Sequence, residues 1–307
     1  MKIFIAMTLE QEQLSRLRDR LDVQICYHPA LDDAGRAAIR DCEVAFGNPP
    51  AEWLVDTPSL RWVQLESVGF GEYASLDWKS LGKRLRASNL KGFFDEPVAQ
   101  SILAGILAHY RGMTRLAQLQ AKEEWEGDAL RPRLRTLGGD SVMLFGYGDI
   151  NRRVEALLSP YHCSITRFRS DWAMPALEKA LEAADIVICV APHTAATRGL
   201  FDRELLAKLK RGALFVNFGR GSLVDEEALA DALESGALGG AAIDVTQDEP
   251  LPASHRFWHC RNMLLTQHTG GGTGDEIDRK IDVFLANLGR YRRGEAPLGL
   301  VDFQREY

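Results

Sequence analysis

The stretch Ser141 to Leu158, SVMLFGYGDINRRVEALL, sets Gly146 and Gly148 between an apolar run and a helical pattern. In a strand-turn-helix of this kind the first glycine permits a tight turn and the second lets the backbone approach a pyrophosphate. The helix that follows exposes unpaired amides and the positive end of its dipole at the turn, and both attract a diphosphate. Gly146, Tyr147, Gly148, Asp149 and Ile150 are therefore the candidate phosphate cradle. Asn151 stands where a third glycine would allow close packing of helix on strand, so the helix is expected to be pushed slightly outward with its phosphate contacts kept. A second strand, SITRF, follows within about 30 residues, as a βαβ nucleotide unit requires.

At the end of that second strand an NAD-binding unit offers an acidic side chain to the ribose. This chain offers RFRSD, with Arg167, Arg169, Ser170 and Asp171. Arg169 falls where the acid is expected, and an arginine beside the Ser170 hydroxyl suits a 2'-phosphate, one charge-assisted contact being worth about 1.5 to 3 kcal/mol. The reading favours NADPH over NADH. Its alternative places Asp171 on the ribose and makes the cofactor NADH.

These residues need a scaffold, and the chain supplies one. KIFIAM, VQICY, EVAFG and RWVQL alternate with helical patterns and are followed, after LRASN, by a long helical stretch from about Asp95 to Trp125. A second series follows: SVMLF, SITRF, DIVICV, ALFVNF, GAAID and NMLLT. Such alternation predicts α/β architecture with two doubly wound parallel sheets and a cleft between the domains. The boundaries expected are 1–96 with 282–307 for one domain and 97–281 for the other. Apolar spacing at Ile277, Ile281, Phe284, Leu285 and Leu288 predicts a last helix over about 275–293.

At 307 residues, 46% hydrophobic and 26% charged, the chain can build two real cores. A formal charge of -6 leaves no basic stripe for phosphate backbones, which argues against nucleic acid as a partner. No apolar run reaches 18 residues, so no membrane span is expected. Five scattered cysteines without C-x-x-C spacing indicate reduced thiols, a cytoplasmic location and no metal site.

Downstream, Arg220 lies in a glycine-flanked turn after LFVNF, and His268 follows MLLT. Both stand at the carboxyl ends of expected parallel strands, where open α/β sheets bind ligands. Taken with VAPHTAATRGL, NFGRGSLVDEEAL, the Glu249-Pro250 pair, QHTGGG and the terminal VDFQREY, these segments resemble the D-isomer-specific 2-hydroxyacid dehydrogenase family, most closely its short glyoxylate and hydroxypyruvate reductases. The similarity covers essentially the whole chain. It implies a flavodoxin-like substrate domain, a Rossmann dinucleotide-binding domain, a homodimer built on the long helix and its Trp125 end, and reduction of a small 2-keto acid to the D-2-hydroxy acid.

The resemblance assigns three catalytic residues, and the chemistry asks for these types. Arg220 would hold the substrate carboxylate with its planar fork. His268 would deliver a proton to the keto oxygen near neutral pH. Glu249, hydrogen-bonded to the other ring nitrogen, would orient the imidazole and favour its charged form. In LESVGFG, the backbone amides of Val68 and Gly69 would grip the carboxylate as an anion nest. Asp244 and the backbone near Phe218 and Gly270 would hold the nicotinamide carboxamide. Pro192 and His193 would border the adenine.

The chain departs from the family pattern in three places near the cleft. Gln267 replaces a proline before the histidine, Gln100 replaces an acid, and Gly71 stands where an aspartate is common. Two other readings stay open. One is an NAD-dependent member acting on 3-phosphoglycerate or D-lactate, the former disfavoured by a chain that ends just past its last helix. The other is a nucleotide-sensing binding protein of the same fold.

Overall fold

A computed structural model describes residues 1–303, so part of the VDFQREY segment lies outside the described residues. The chain forms two compact units, Met1–Phe93 with the segment returning at Thr273, and Phe94–Gly272.

In the first unit, five short runs of apolar residues form a parallel sheet: β1 (Lys2–Ile5), β2 (Gln24–Tyr27), β3 (Val44–Phe46), β4 (Trp62–Gln64) and β5 (Arg86–Ser88). Their order is β2-β1-β3-β4-β5, the flavodoxin arrangement. Both faces are covered, which is why the central strands β1, β3 and β4 are buried almost throughout rather than alternating. Phe4, Val63, Leu54 and Tyr73 fill one side. On the other, Ile3, Phe46 and Trp62 pack against Ile281, Phe284 and Leu288 of the last helix, Glu276–Arg292. Phe284 stacks on Phe46 at 4.4 Å between ring centres. The expected boundary at 282 would cut this helix in half. The return falls at Thr273 instead, because one apolar stripe beginning at Ile277 seats the whole helix on the first sheet.

In the second unit, six parallel strands follow: β6 (Ser141–Phe145), β7 (Ser164–Phe168), β8 (Ile186–Cys189), β9 (Leu214–Asn217), β10 (Gly240–Ile243) and β11 (Met263–Leu265), in the order β11-β10-β9-β8-β6-β7. The chain reverses direction across the sheet at β6, whose neighbours are β7 on one side and β8 on the other. This is the topological switch point, where doubly wound sheets bind ligands beyond the strand ends. The expected single long helix is two, Asp95–Tyr110 and Met113–Ala121. Gly112 breaks it with φ of +62°, a left-handed conformation that glycine adopts without strain. Gly105 lets the first of these helices approach β10, since a Cβ there would sit 3.1 Å from that of Ala242. Among the described residues no helix is long and apolar enough to cross a membrane, and all five cysteines are free.

Candidate active site

The glycine turn follows β6 directly. Gly146 has φ of +80°, and a Cβ there would lie 2.6 Å from the Ala191 nitrogen, so only glycine fits. Gly219, at the end of β9, meets the same Ala191 backbone from its own side, with a Cβ position 2.7 Å from the carbonyl oxygen. The tips of β6, β8 and β9 are thus in close contact. Gly148 has nothing within 4 Å of its Cβ position and leaves the approach open. Helix Asp149–Leu158 starts there, and its first amides, Asp149 and Ile150, donate to no acceptor among the described residues. An anion-binding helix N-terminus presents such amides.

Asn151 does more than fill space between helix and strand. Its side chain is fully buried, and its amide donates to the carbonyl oxygens of Phe145 and Gly146, both at 3.1 Å. Hydrogen bonding across the turn here takes the place of the close packing a glycine would give.

The cluster beyond β7 is more elaborate than the sequence suggests. Arg167 pairs with Glu155 through two of its nitrogens, and Tyr147 donates to the same carboxylate at 2.6 Å. Arg167 holds the Glu155 carboxyl below the ordinary carboxylate range, assisted by Tyr147 and opposed by burial. Arg169 lies over the Tyr147 ring, 5.3 Å from its centre, and has no acid partner among the described residues. Of the two arginines, Arg169 is therefore the one with its donors uncommitted. Ser170 and Asp171 follow it on the surface. Glu155 was not visible in the sequence as a member of this group, since it reaches Arg167 from the helix Asp149–Leu158 only once that helix lies beside β7.

Asp244 is buried just past β10. One carboxylate oxygen, Oδ1, accepts from the Thr266 hydroxyl at 2.6 Å and from the amides of Thr269 and Gly270, both at 3.0 Å. It therefore holds the loop that carries His268, a task the sequence did not reveal. Gly270 faces Phe218 and Asp244 at once, as its Cβ position lies 2.8 Å from the Phe218 ring and 2.9 Å from Asp244 Oδ2. These three residues, expected to hold a carboxamide, are brought together with Oδ2 left for an outside donor.

His268 Nδ1 lies 2.6 Å from Glu249 Oε2, and the other oxygen of Glu249 accepts from the Thr246 amide at 3.0 Å. The imidazole is 54% exposed, so its second nitrogen is open to a ligand. Gln267 and His268 both adopt left-handed backbone, φ of +54° and +55°. A proline, with φ fixed near -65°, could not stand at Gln267 in this loop. Pro250, Leu251, Trp258 and Leu265 line a cavity of about 440 Å³ beside the His268-Glu249 pair.

Arg220 follows β9 in a turn braced by Asn217, whose amide donates to the Arg220 carbonyl at 3.0 Å. Gly221 then packs on the Thr246 backbone, its Cβ position only 2.0 Å from the carbonyl carbon. That contact sets the turn bearing Arg220 against the turn bearing Glu249. His193, expected along the adenine wall with Pro192, has Nδ1 2.6 Å from the Ser222 hydroxyl and so joins the Arg220 turn as well. Pro192 accepts from the Thr197 hydroxyl at 2.7 Å.

In the first unit, loop Leu65–Gly71 is held open from below. Asn48 accepts the Glu66 amide at 3.1 Å and donates to the Ser67 hydroxyl at 3.2 Å, while Asn89 donates to the Val68 carbonyl at 2.8 Å. The amides of Val68 and Gly69 have no acceptor among the described residues, as an anion nest requires. Gly71 has open space beside it. Gln100, in the second unit, donates to Glu96 at 2.6 Å, one helical turn away.

The parts of the second unit fit a dinucleotide: an open glycine turn with unpaired amides, an uncommitted arginine after the second strand, and a Phe218-Asp244-Gly270 pocket. Comparison with known proteins agrees with that fit. The family described as D-isomer specific 2-hydroxyacid dehydrogenase, NAD binding domain, matches residues 103–270. Formate dehydrogenase, chloroplastic/mitochondrial, of Arabidopsis thaliana is 32% identical over 91% of this chain and 78% of its own length. Glyoxylate/hydroxypyruvate reductase A of the same plant is 30% identical over 83% of this chain and 82% of its own length. Among solved structures, a D-isomer specific 2-hydroxyacid dehydrogenase from Xanthobacter autotrophicus Py2, in complex with NADPH and MES, aligns with a TM-score of 0.80 at 25% identity, covering 100% of this chain and 99% of that one.

Proposed function

The chain belongs to the D-isomer-specific 2-hydroxyacid dehydrogenase family, and from that premise we propose that it reduces small 2-keto acids of the glyoxylate and hydroxypyruvate type to D-2-hydroxy acids with NADPH. The observation that carries the reading is the 2.6 Å contact between His268 and Glu249, beside the turn of Arg220. A carboxylate-bound imidazole with its other nitrogen exposed is equipped to donate a proton, and an exposed guanidinium is equipped to hold a carboxylate.

The bound cofactor supplies the hydride that the keto carbon receives. Arg220 grips the substrate carboxylate, and Val68 and Gly69 keep the carboxylate-gripping part that the resemblance assigns them, each with a backbone N–H lacking a described acceptor. As negative charge develops on the keto oxygen, His268 Nε2 delivers its proton there, and Glu249 stabilises the ring while it is charged. Gly146, Gly148 and the amides of Asp149 and Ile150 hold the diphosphate, with Tyr147 forming the floor beneath Arg169. Arg169 and Ser170 take the 2'-phosphate, Arg167 stays with Glu155, and Pro192, Phe218, Asp244 and Gly270 wall the remaining cofactor site.

Similarity to a formate dehydrogenase raises a second reading, which the site chemistry disfavours. Formate loses a hydride to become carbon dioxide, and no oxygen has to be protonated, so the His268-Glu249 pair would have no proton to deliver. The free thiols support a cytoplasmic location. Met113, Leu116 and Trp125, exposed on and just past the helix Met113–Ala121, support a homodimer in which a second copy covers them.

The test is the loss of NADPH or NADH absorbance with glyoxylate, hydroxypyruvate, pyruvate and phenylpyruvate, beside NAD reduction with formate. Turnover of the two small keto acids with NADPH supports the proposal. Cofactor binding without turnover would instead favour a nucleotide-sensing protein. Sedimentation at micromolar concentration tests the dimer, and a species of 34 kDa alone would refute it.

A further inference from the structure

We propose that Glu226 is a positioning residue for the Glu249-His268 pair, fixing the turn Thr246–Glu249 through the backbone of Gln247. The inference rests on the assignment of that pair as the proton-delivering couple. Glu226 opens helix Glu226–Glu234, directly after the turn that carries Arg220, and its side chain is only 11% exposed. One oxygen accepts the Gln247 amide at 2.8 Å, and the other lies 3.1 Å from His255 Nε2. His255 Nδ1 accepts the Phe257 amide at 3.2 Å, which puts the ring proton of a neutral imidazole on Nε2, pointing at Glu226.

Two adjacent amides of one turn therefore meet two different carboxylates. Gln247 N–H goes out to Glu226, and Thr246 N–H goes to Glu249, whose second oxygen holds His268. Gln247, Asp248 and Glu249 are all on the surface, so beyond the contact of Gly221 with the Thr246 backbone the turn depends on hydrogen bonds to locate it. Gln247 also reaches back, donating through Nε2 to the Val224 carbonyl at 2.8 Å. Glu226 is thus a buried anchor for an exposed catalytic turn.

A carboxylate is the group this position demands. Two N–H donors converge on it, and a carboxylate alone among side-chain ends offers two acceptors and no donor. Burial pushes the Glu226 carboxyl up, and the Gln247 amide and His255 counter that by stabilising the ionised form. A displacement of the turn by about 1 Å would open the short Glu249-His268 contact, and misplacements of that size in a catalytic group cost on the order of a hundredfold in rate.

The experiment compares the full-length wild type with Glu226→Ala, Glu226→Gln and Glu249→Ala. It measures kcat, the keto-acid KM, NADPH affinity by fluorescence, and the rate at which diethyl pyrocarbonate modifies His268, read by peptide mass spectrometry with exposed His162 as the internal reference. Glu249 covers Nδ1 of His268, so loosening that contact frees the ring and exposes a second nitrogen to the reagent. Glu226→Ala is expected to lower kcat roughly ten- to a hundredfold while KM and NADPH affinity stay unchanged. His268 modification should accelerate toward the rate in Glu249→Ala. Glu226→Gln, nearly isosteric, has one acceptor for two donors and should move His268 in the same direction should the alanine variant not fold. Unchanged His268 reactivity in both variants would overturn the inference, as would NADPH affinity falling in step with kcat. A wild type that reduces no keto acid would sink the functional reading alone, because His268 modification reports on positioning without turnover.

Discussion

Replacing Arg169 by alanine tests the cofactor assignment at a single side chain. Two arginines stand at the end of β7, yet they are not equivalent. Arg167 is bound through two nitrogens to Glu155, whereas Arg169 rests on the Tyr147 ring at 5.3 Å with its donors uncommitted. A charge-assisted hydrogen bond to a phosphate is worth about 1.5 to 3 kcal/mol, or roughly ten- to a hundredfold in affinity. Arg169 is exposed, and solvent screening pulls such contacts toward the lower end, so a loss of about tenfold in kcat/KM for NADPH is expected. NADH lacks the 2'-phosphate and should be used as well as before. Glu155→Gln gives the complementary outcome: with its acid neutralised, Arg167 is released toward the same phosphate and the NADPH-to-NADH ratio should rise. The assay is initial-rate kinetics with both cofactors at saturating hydroxypyruvate. Equal losses for NADPH and NADH in Arg169→Ala would refute the reasoning, since they would mean that the arginine supports the fold or the ribose rather than the phosphate.

Removing the imidazole in His268→Ala should lower kcat by about a hundred- to ten-thousandfold, the usual worth of a general acid, with NADPH affinity retained in a fluorescence titration. Asn151→Ala deletes one buried and one half-buried hydrogen bond and leaves two carbonyls of the glycine turn without that donor, so a urea melt should show a loss of about 1 to 3 kcal/mol. In Gly221→Ala the new methyl would sit 2.0 Å from the Thr246 carbonyl carbon, and either the Arg220 turn or the Glu249 turn must move. Activity should collapse even where circular dichroism shows a folded protein. Asp185 links stability to pH: burial raises its carboxyl, but Lys210 at 2.7 Å and the Ser141 amide at 3.0 Å outweigh that and hold it below the usual aspartate range. A depressed carboxyl stabilises the fold above its unfolded pKa and ceases to do so as pH falls through the folded one, so the contribution should begin to fall near about pH 4 and be gone only below the depressed folded value. Asp185→Asn should flatten the acid side of a thermal-melt profile, and an unchanged profile would contradict the assignment.

Much of this could be read before any coordinates. Strand runs such as KIFI, SVMLF and IVIC are legible because a sheet covered on both faces needs successive apolar residues, a pattern that the local sequence reveals. Gly146 is legible because a close backbone approach admits no other residue, and Gly148 because a side chain there would fill the space a pyrophosphate needs. The long helix expected from Asp95 to Trp125 misjudges Gly112, since a glycine within a helical pattern signals a break only when its neighbours force a left-handed φ. The expected domain boundary at 282 fails for a related reason. Helical periodicity shows that a helix has an apolar face, but not which sheet that face will cover.

The sequence by itself determined the types of group present and the strand ends on which they stand, because those follow from local pattern: an arginine after LFVNF, a histidine after MLLT, a glycine turn after SVMLF. What only the tertiary structure decided is how these groups share partners. Arg167 is committed to Glu155 while Arg169 is left free, Asp244 spends one oxygen on the loop of His268, Asn151 bonds two carbonyls of the glycine turn, and Glu226 reaches the turn of Glu249 from a different helix. A carboxylate has two oxygens and an amide one proton, so which of several candidates a group serves depends on distances of about 3 Å between residues far apart in the chain. No spacing along the sequence records those distances.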